Sequence, residues 1–289
     1  MNTKVLKEDK HFQSVILMVL VAVLWSLGGL LIKIINWNPV AIAGTRSAIA
    51  ALVMLCGIKK PSLNFTVDKV CGSLAYAGTV ICFVVASKLT TAANAILLQY
   101  TAPIYIALFG NFFLKEKAKK SDWVSIFFII LGMILFFVDN LSFGKLAGNI
   151  FGVLTGITFA FNAIFLRRQK DGNPTEILFW GNLLTALIAI PFMLQSKPDF
   201  KSCIALLILG IVQLGIPYLI YSIAIKNVTA LEAVLIPVIE PVLNPIWVFI
   251  FTGEKPGMWA LIGGSIVLLS VVLNSVYAII KSKRAICIK

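Results

Sequence analysis

Runs of about 20 apolar residues recur from one end of the chain to the other with only short polar breaks, and each can cross roughly 30 Å of hydrocarbon as a helix. Ten such spans fit, near 13–35, 39–57, 67–88, 90–114, 121–139, 146–167, 174–195, 203–224, 228–252 and 257–280. A backbone crossing lipid must satisfy its own hydrogen bonds, and apolar runs of this length do so as helices. With 60% hydrophobic and 13% charged residues among 289, and a mean hydropathy of +0.97, the chain is too apolar for a soluble domain of its length. The fold class that follows is an all-α integral membrane protein with ten transmembrane helices. The first run, from Val15 to Ile35, is longer than a signal-peptide core and lacks a small-residue cleavage site, so it is kept as the first helix.

The net charge of +13 does not point to nucleic acid, because the basic residues sit in loops and form no patch interleaved with exposed aromatics. Their distribution reports orientation instead. Counted by alternate sides, the N-terminal tail, the loops near 59–60, 115–120, 167–170 and 226, and the C-terminal tail hold 17 lysines and arginines, against six on the other side. Arg46 and Lys69 fall inside spans and stand outside this count. The bias places both termini in the cytoplasm. The localisation expected is that of a multi-pass protein of the bacterial inner membrane. The five cysteines have no paired spacing, so neither a disulfide framework nor a zinc site is expected. The sole histidine, His11, lies in the charged N-terminal tail, and no HExxH, Walker or Gly-rich phosphate motif is present. An enzyme, a metal site and a resident cofactor are therefore not expected.

A shift of 138 residues lays 86–117, "ASKLTTAANAILLQYTAPIYIALFGNFFLKEK", on 224–255, "AIKNVTALEAVLIPVIEPVLNPIWVFIFTGEK", with ten of 32 positions identical and no gap. "NP" at 38–39 and 173–174 extends the duplication to earlier helices at a nearly equal offset. The chain divides into a cytoplasmic tail at 1–12, a five-helix repeat at 13–139, a second at 146–280 and a basic tail at 281–289. Because five is odd, the second repeat starts from the opposite side of the membrane, which predicts an inverted pair. Inverted pairs recur in secondary transporters, with a site near the midplane at the repeat interface.

The stretches "NPVAIAGTRSAIAALVML", "YTAPIYIALFGNFFLKE" and "VIEPVLNPIWVFIFTGE" also resemble the drug/metabolite transporter superfamily, and within it the ten-helix EamA-type permeases, over nearly the whole chain. The resemblance implies a two-times-five inverted-repeat fold and export or uptake of small metabolites without ATP, often amino acids and in other relatives nucleotide sugars or sugar phosphates. It does not choose the cargo.

The second repeat departs from the first at "VLIPVIEPVLNPIW", residues 234–247, where Pro237, Pro241 and Pro245 recur every fourth position around Glu240 and Asn244. Each proline removes the donor for the carbonyl four residues earlier, so the carbonyls of Ala233, Pro237 and Pro241 line one stripe. Such breaks are tolerated where protein or a wet cavity satisfies the backbone, so the stripe is expected to face inward. A kinked packing helix is the alternative. The first repeat has Gln99, Pro103 and Ala107 at the proline positions, and Ala102 at the position of Glu240. Glu240 lies near the membrane midplane, where a carboxylate marks a proton, ion or substrate site, or is a hydrogen-bonded structural group. A carboxylate that changes protonation between the two open states would couple transport to protons.

Glu232 reads differently, because Thr229-Ala230-Leu231-Glu232 is a capping box at a helix start. Glu116 and Glu254, at loop edges, are expected to be solvated or paired with lysines. Arg46, some seven residues into the second span, either snorkels to headgroups or turns inward to hold a carboxylate or phosphate and pair charge with the site. Trp25, Tyr76, Gln99, Asn162, Trp180, Gln213 and Tyr218 are the remaining polar or aromatic candidates for a substrate cavity. Each is also a plausible helix glue or interface anchor. The function expected is secondary active transport, with export favoured, of a small amino-acid-like or amphipathic metabolite by alternating access. Proton coupling or exchange and a monomer in the lipid bilayer belong to that reading. A membrane sensor or assembly protein that keeps the fold is the alternative.

Overall fold

The helices begin where the sequence supplies a cap. Thr66, Thr91, Asp199 and Thr229 each take an extended or near-extended backbone and accept from an amide in the first turn that follows. Thr229 and Glu232 form the expected capping box, with the carboxylate 2.8 Å from the Thr229 amide. Thr91, 138 residues earlier, caps through the amide of Asn94 at 3.1 Å, so the duplication includes the helix start. The structure, a computed structural model, describes residues 3–26, 28, 31–32, 35–58, 60–138, 145–197, 199–243 and 257–287, and no strand forms among them.

The helices are α1 (Thr3–Trp25), α2 (Pro39–Ile58), α3 (Val67–Leu89), α4 (Ala92–Gln99), α5 (Ala102–Leu114), α6 (Lys120–Phe137), α7 (Leu146–Arg168), α8 (Pro174–Met193), α9 (Phe200–Ile208), α10 (Ile216–Ala224), α11 (Ala230–Leu235) and α12 (Met258–Cys287). Eight helical stretches among the described residues are long and apolar enough to cross a membrane. Exposed apolar side chains such as Leu52, Leu74, Phe112, Phe127 and Leu273 cover their outer faces, as a surface solvated by lipid requires. Helix also extends into both stretches expected as tails, since α1 begins at Thr3 and α12 ends at Cys287.

The first expected span, 13–35, is helical to Trp25 and turns at Ser26. Among the described residues, three further expected spans differ from a continuous helix. The span at 90–114 breaks at Tyr100 and Thr101, between α4 and α5, because Pro103 offers no amide to the carbonyl of Gln99. The span at 228–252 passes from α11 into a 3₁₀ turn, Ile236–Val238, and helix resumes over 239–243. The two breaks fall at matching repeat positions. Pro245 lies outside the described residues, as do Asn244 and Glu254. The span at 203–224 widens into a π-helical turn, Leu209–Gly215, between α9 and α10, where Pro217 removes the donor for the Gln213 carbonyl.

Packing joins the two halves rather than separating them. Helix α2 packs on its repeat counterpart α8, and α6 on its counterpart α12. The pairs α3 with α7 and α1 with α10 exchange under the same repeat relation. The arrangement therefore has a pseudo-two-fold relation, and the broken helices of the two repeats meet within it. Close approach depends on Gly148, Gly152 and Gly156, one turn apart on α7, which face Thr90, Leu98 and the α4–α5 break. A Cβ at position 156 would lie 2.6 Å from Thr101 Oγ1 and 2.7 Å from the Leu98 carbonyl oxygen. Gly156→Ala is accordingly expected to destabilise the fold by about 1–3 kcal/mol. An unfolding midpoint in detergent equal to that of the parent would show that the break tolerates displacement.

Candidate functional site

At the middle of the bundle the two breaks touch. Tyr100, at the end of α4, places its hydroxyl 2.7 Å from Glu240 Oε2 and 2.9 Å from the Pro237 carbonyl oxygen. That carbonyl is one of those expected to be freed, because its helical donor would come from Pro241. The Pro237 carbonyl meets protein, and the phenol satisfies it. Tyr100 and Glu240 are both buried.

Glu240 borders a central cavity that it shares with residues of both repeats. Trp25 and Tyr218 form aromatic walls with Phe159; the Trp25 ring centroid lies 5.1 Å from Tyr218 and 6.1 Å from Phe159. Gln99 and Gln213 supply amides, and Thr79, Val80, Phe83 and Leu214 complete the lining with Arg46. The mixture of aromatic walls with a few polar groups suits a small metabolite.

Arg46 turns inward rather than towards headgroups, and its side chain is almost wholly buried. Its Nη1 donates to Gln213 Oε1 at 3.1 Å, a weaker contact reaches the Val80 carbonyl at 3.5 Å, and Nε has no partner among the described residues. The π-helical turn makes this possible. It contains Gln213, and its Gly210 lies so close to α2 that a Cβ would meet Ile49 at 2.5 Å and the Arg46 carbonyl oxygen at 3.0 Å. Arg46 and Glu240 line the same cavity, yet they are absent from the ion pairs among the described residues. A cation and an acid thus face one space without neutralising each other.

The other candidates lie further out. Tyr76 backs the wall, with its ring 4.9 Å from Tyr218 and its hydroxyl accepting from Asn182 Nδ2 at 2.9 Å. Asn162 is fully buried one turn along α7 from Phe159, and neither polar atom of its side chain has a partner among the described residues. Trp180 stands apart from the cavity and packs against Phe65 and Phe179. Pro103 and Pro237 sit at the two breaks, and Pro241 is buried beside Glu240. Tyr100 was not among the sequence candidates; its only local signal was a position three residues before the repeated proline.

The end of the bundle that carries most basic residues is tied by polar contacts. Glu116 pairs with Arg167, not with a lysine, at 2.9 Å, and its other oxygen accepts the Ala230 amide at the start of α11. Arg167 also donates to the carbonyls of Ile225 and Lys226. Arg168 pairs with Asp68, and Lys69 with Glu176. His11 of α1 lies 3.2 Å from Glu232, so this residue caps a helix and bridges two elements. The hydrogen bond to Glu232 raises the His11 pKa, against opposing contributions from burial and Arg167. A raised folded-state value means the pair's stabilisation is complete below about pH 6.5 and disappears as the pH rises through the raised value. His11→Ala is expected to remove the pH dependence of thermal unfolding in that window; an unchanged profile would place the titration elsewhere.

Comparison with known proteins agrees with this architecture. A crystal structure of a protein superimposes with a TM-score of 0.79 at 18% identity, covering 93% of this chain and 99% of that one. A protein of Archaeoglobus fulgidus named only as an uncharacterized transporter is 25% identical over 68% of this chain and 71% of its own length. The pseudopaline exporter CntI of Pseudomonas aeruginosa is 23% identical over 68% of this chain and 70% of its own. The profile of the EamA-like transporter family matches twice, at residues 13–138 and 146–276, one match for each repeat. With two family domains, an all-helical bundle whose halves pack on one another and a central cavity where their broken helices meet, this multi-pass membrane protein belongs to the EamA-like transporter family, within the drug/metabolite transporter superfamily.

Proposed function

We propose that the chain is a secondary transporter of ten membrane-spanning helices, with both termini in the cytoplasm, that moves a small zwitterionic, amino-acid-like metabolite across a bacterial inner membrane. The observation that carries this reading is the shared cavity of Arg46 and Glu240, which hold opposite chemistries without pairing. A substrate carboxylate accepts from the Arg46 guanidinium, whose Nε is without a partner among the described residues. A substrate ammonium is held by Glu240 and by the faces of Trp25 and Tyr218, where a cation is attracted by the aromatic quadrupole. Paired broken helices at a repeat interface support alternating access, with one repeat moving against the other around a fixed site.

The polar contacts at the basic end, which positive-inside bias places in the cytoplasm, close that side of the cavity. Opening requires exchange of the Glu116–Arg167 and His11–Glu232 contacts for water, an inexpensive step for partly exposed pairs. A relative named as an exporter supports outward movement. Glu240 is the proposed proton-coupling group, and a monomer contains the whole site.

The test is a thermal-shift screen of the purified protein against a metabolite library, followed by counterflow of the hits in proteoliposomes. Zwitterionic amino acids are expected to stabilise the protein and to exchange. Stabilisation only by compounds lacking either charge would overturn the substrate class, and absence of flux across the whole panel would overturn transport.

A further inference from the structure

We propose that Tyr100 is a positioning residue that reads the protonation state of Glu240 and passes it to the break in the helix that carries Glu240; the role rests on Glu240 being the coupling carboxylate. The phenol has one proton and two acceptors within reach, Glu240 Oε2 at 2.7 Å and the Pro237 carbonyl at 2.9 Å. When Glu240 is ionised, the charge-assisted bond takes that proton. When Glu240 is protonated, its hydroxyl donates to the Tyr100 oxygen, and the phenol proton turns to Pro237. The added proton stays on the carboxyl, and no covalent bond other than its O–H changes.

The consequence is mechanical. Pro237 lies in the 3₁₀ turn Ile236–Val238, and Tyr100 lies at the break between α4 and α5. Protonated Glu240 ties the two breaks by two hydrogen bonds in series, whereas ionised Glu240 leaves only the bond to the carboxylate. The carbonyl is available to the phenol because residue 241 is a proline and cannot donate in the helix. The titratable groups facing Glu240 among the described residues are Tyr100 from the α4–α5 break, Tyr218 from α10 and Arg46 from α2 across the cavity; Tyr221 of α10 faces Tyr100 in turn. Tyr218 and Arg46 face the substrate space, whereas Tyr100, among the described residues, bonds both the acid and a backbone carbonyl. The repeat counterparts of Tyr100 and Glu240 are Val238 and Ala102, so the device occurs once in the duplicated fold.

The test uses full-length protein in lipid vesicles without substrate, read by pH-difference infrared spectroscopy of carboxyl groups and by amide hydrogen exchange over 231–243. In the parent, a carboxyl band that disappears in Glu240→Gln is expected. Exchange near the break, corrected for intrinsic rates, is expected to slow roughly 2- to 10-fold on protonation, the range for one hydrogen bond. Tyr100→Phe should keep the band, shift it to the frequency of an acid without a phenol partner, and remove the pH dependence of exchange. Pro241→Ala gives the Pro237 carbonyl an amide donor; it should leave the band in place and remove the same pH dependence, and it carries the test if Tyr100→Phe does not fold. An unshifted band in Tyr100→Phe, or parental pH-dependent exchange in Pro241→Ala, overturns the role of Tyr100 while Glu240 remains the coupling group. Absence of any band lost in Glu240→Gln overturns both.

Discussion

Glu240→Gln is expected to abolish proton-driven accumulation of substrate in proteoliposomes while leaving exchange at equal pH intact. One proton moving down a gradient of one pH unit supplies about 1.4 kcal/mol, which supports roughly tenfold accumulation of a co-transported or counter-transported molecule. Glutamine preserves the size of the side chain and an acceptor for the Tyr100 hydroxyl at 2.7 Å, so the helix contact is retained and only the titration is lost. The accumulation ratio should therefore fall to about one in the variant, with counterflow persisting. Retained tenfold accumulation would assign coupling to another group. Loss of counterflow as well would mean that the substrate ammonium requires the charge of Glu240, which a glutamine acceptor beside Trp25 and Tyr218 does not replace.

Arg46→Lys is expected to weaken a carboxylate-bearing substrate by roughly 10- to 100-fold, the equivalent of about 1.5–3 kcal/mol for a charge-assisted hydrogen bond. Lysine keeps the charge but loses the planar fork, so beside its bond to Gln213, which Arg46 holds at 3.1 Å, it cannot offer a carboxylate two parallel donors. The measurement is ligand-dependent stabilisation of the purified variant by the best compound of the screen, beside its decarboxylated analogue. The analogue should bind parent and variant alike. An equal loss for both compounds would mean that Arg46 supports the cavity wall and does not contact the carboxylate.

Much of this site was legible because burial in a membrane makes polar residues conspicuous. Glu240 and Arg46 each stand in an apolar run, where ionisation is costly, so their types and depth marked them before any contact was known. Local chemistry also marked the capping box at Thr229 and Glu232, since the spacing of three residues alone brings donor and acceptor together. Trp180 shows where that reasoning stops: a tryptophan in a span serves a wall or an outer contact equally well, and only packing against Phe65 separates the two. Tyr100 shows the converse. It sits in a run that reads as ordinary helix, and its partner lies 140 residues away.

By itself the sequence determined the membrane class, the duplication and the places where prolines prevent regular helix, because those depend on hydropathy, identity and covalent geometry within short stretches. Tertiary structure alone decided that the two breaks meet, that the freed Pro237 carbonyl is satisfied by a phenol from the other repeat, and that a π-helical turn draws Gln213 onto an inward Arg46. These are contacts between segments far apart in the chain. Their geometry is set by how close glycines allow the helices to come, and a hydrogen bond that acts over about 3 Å is specified only once that packing is complete.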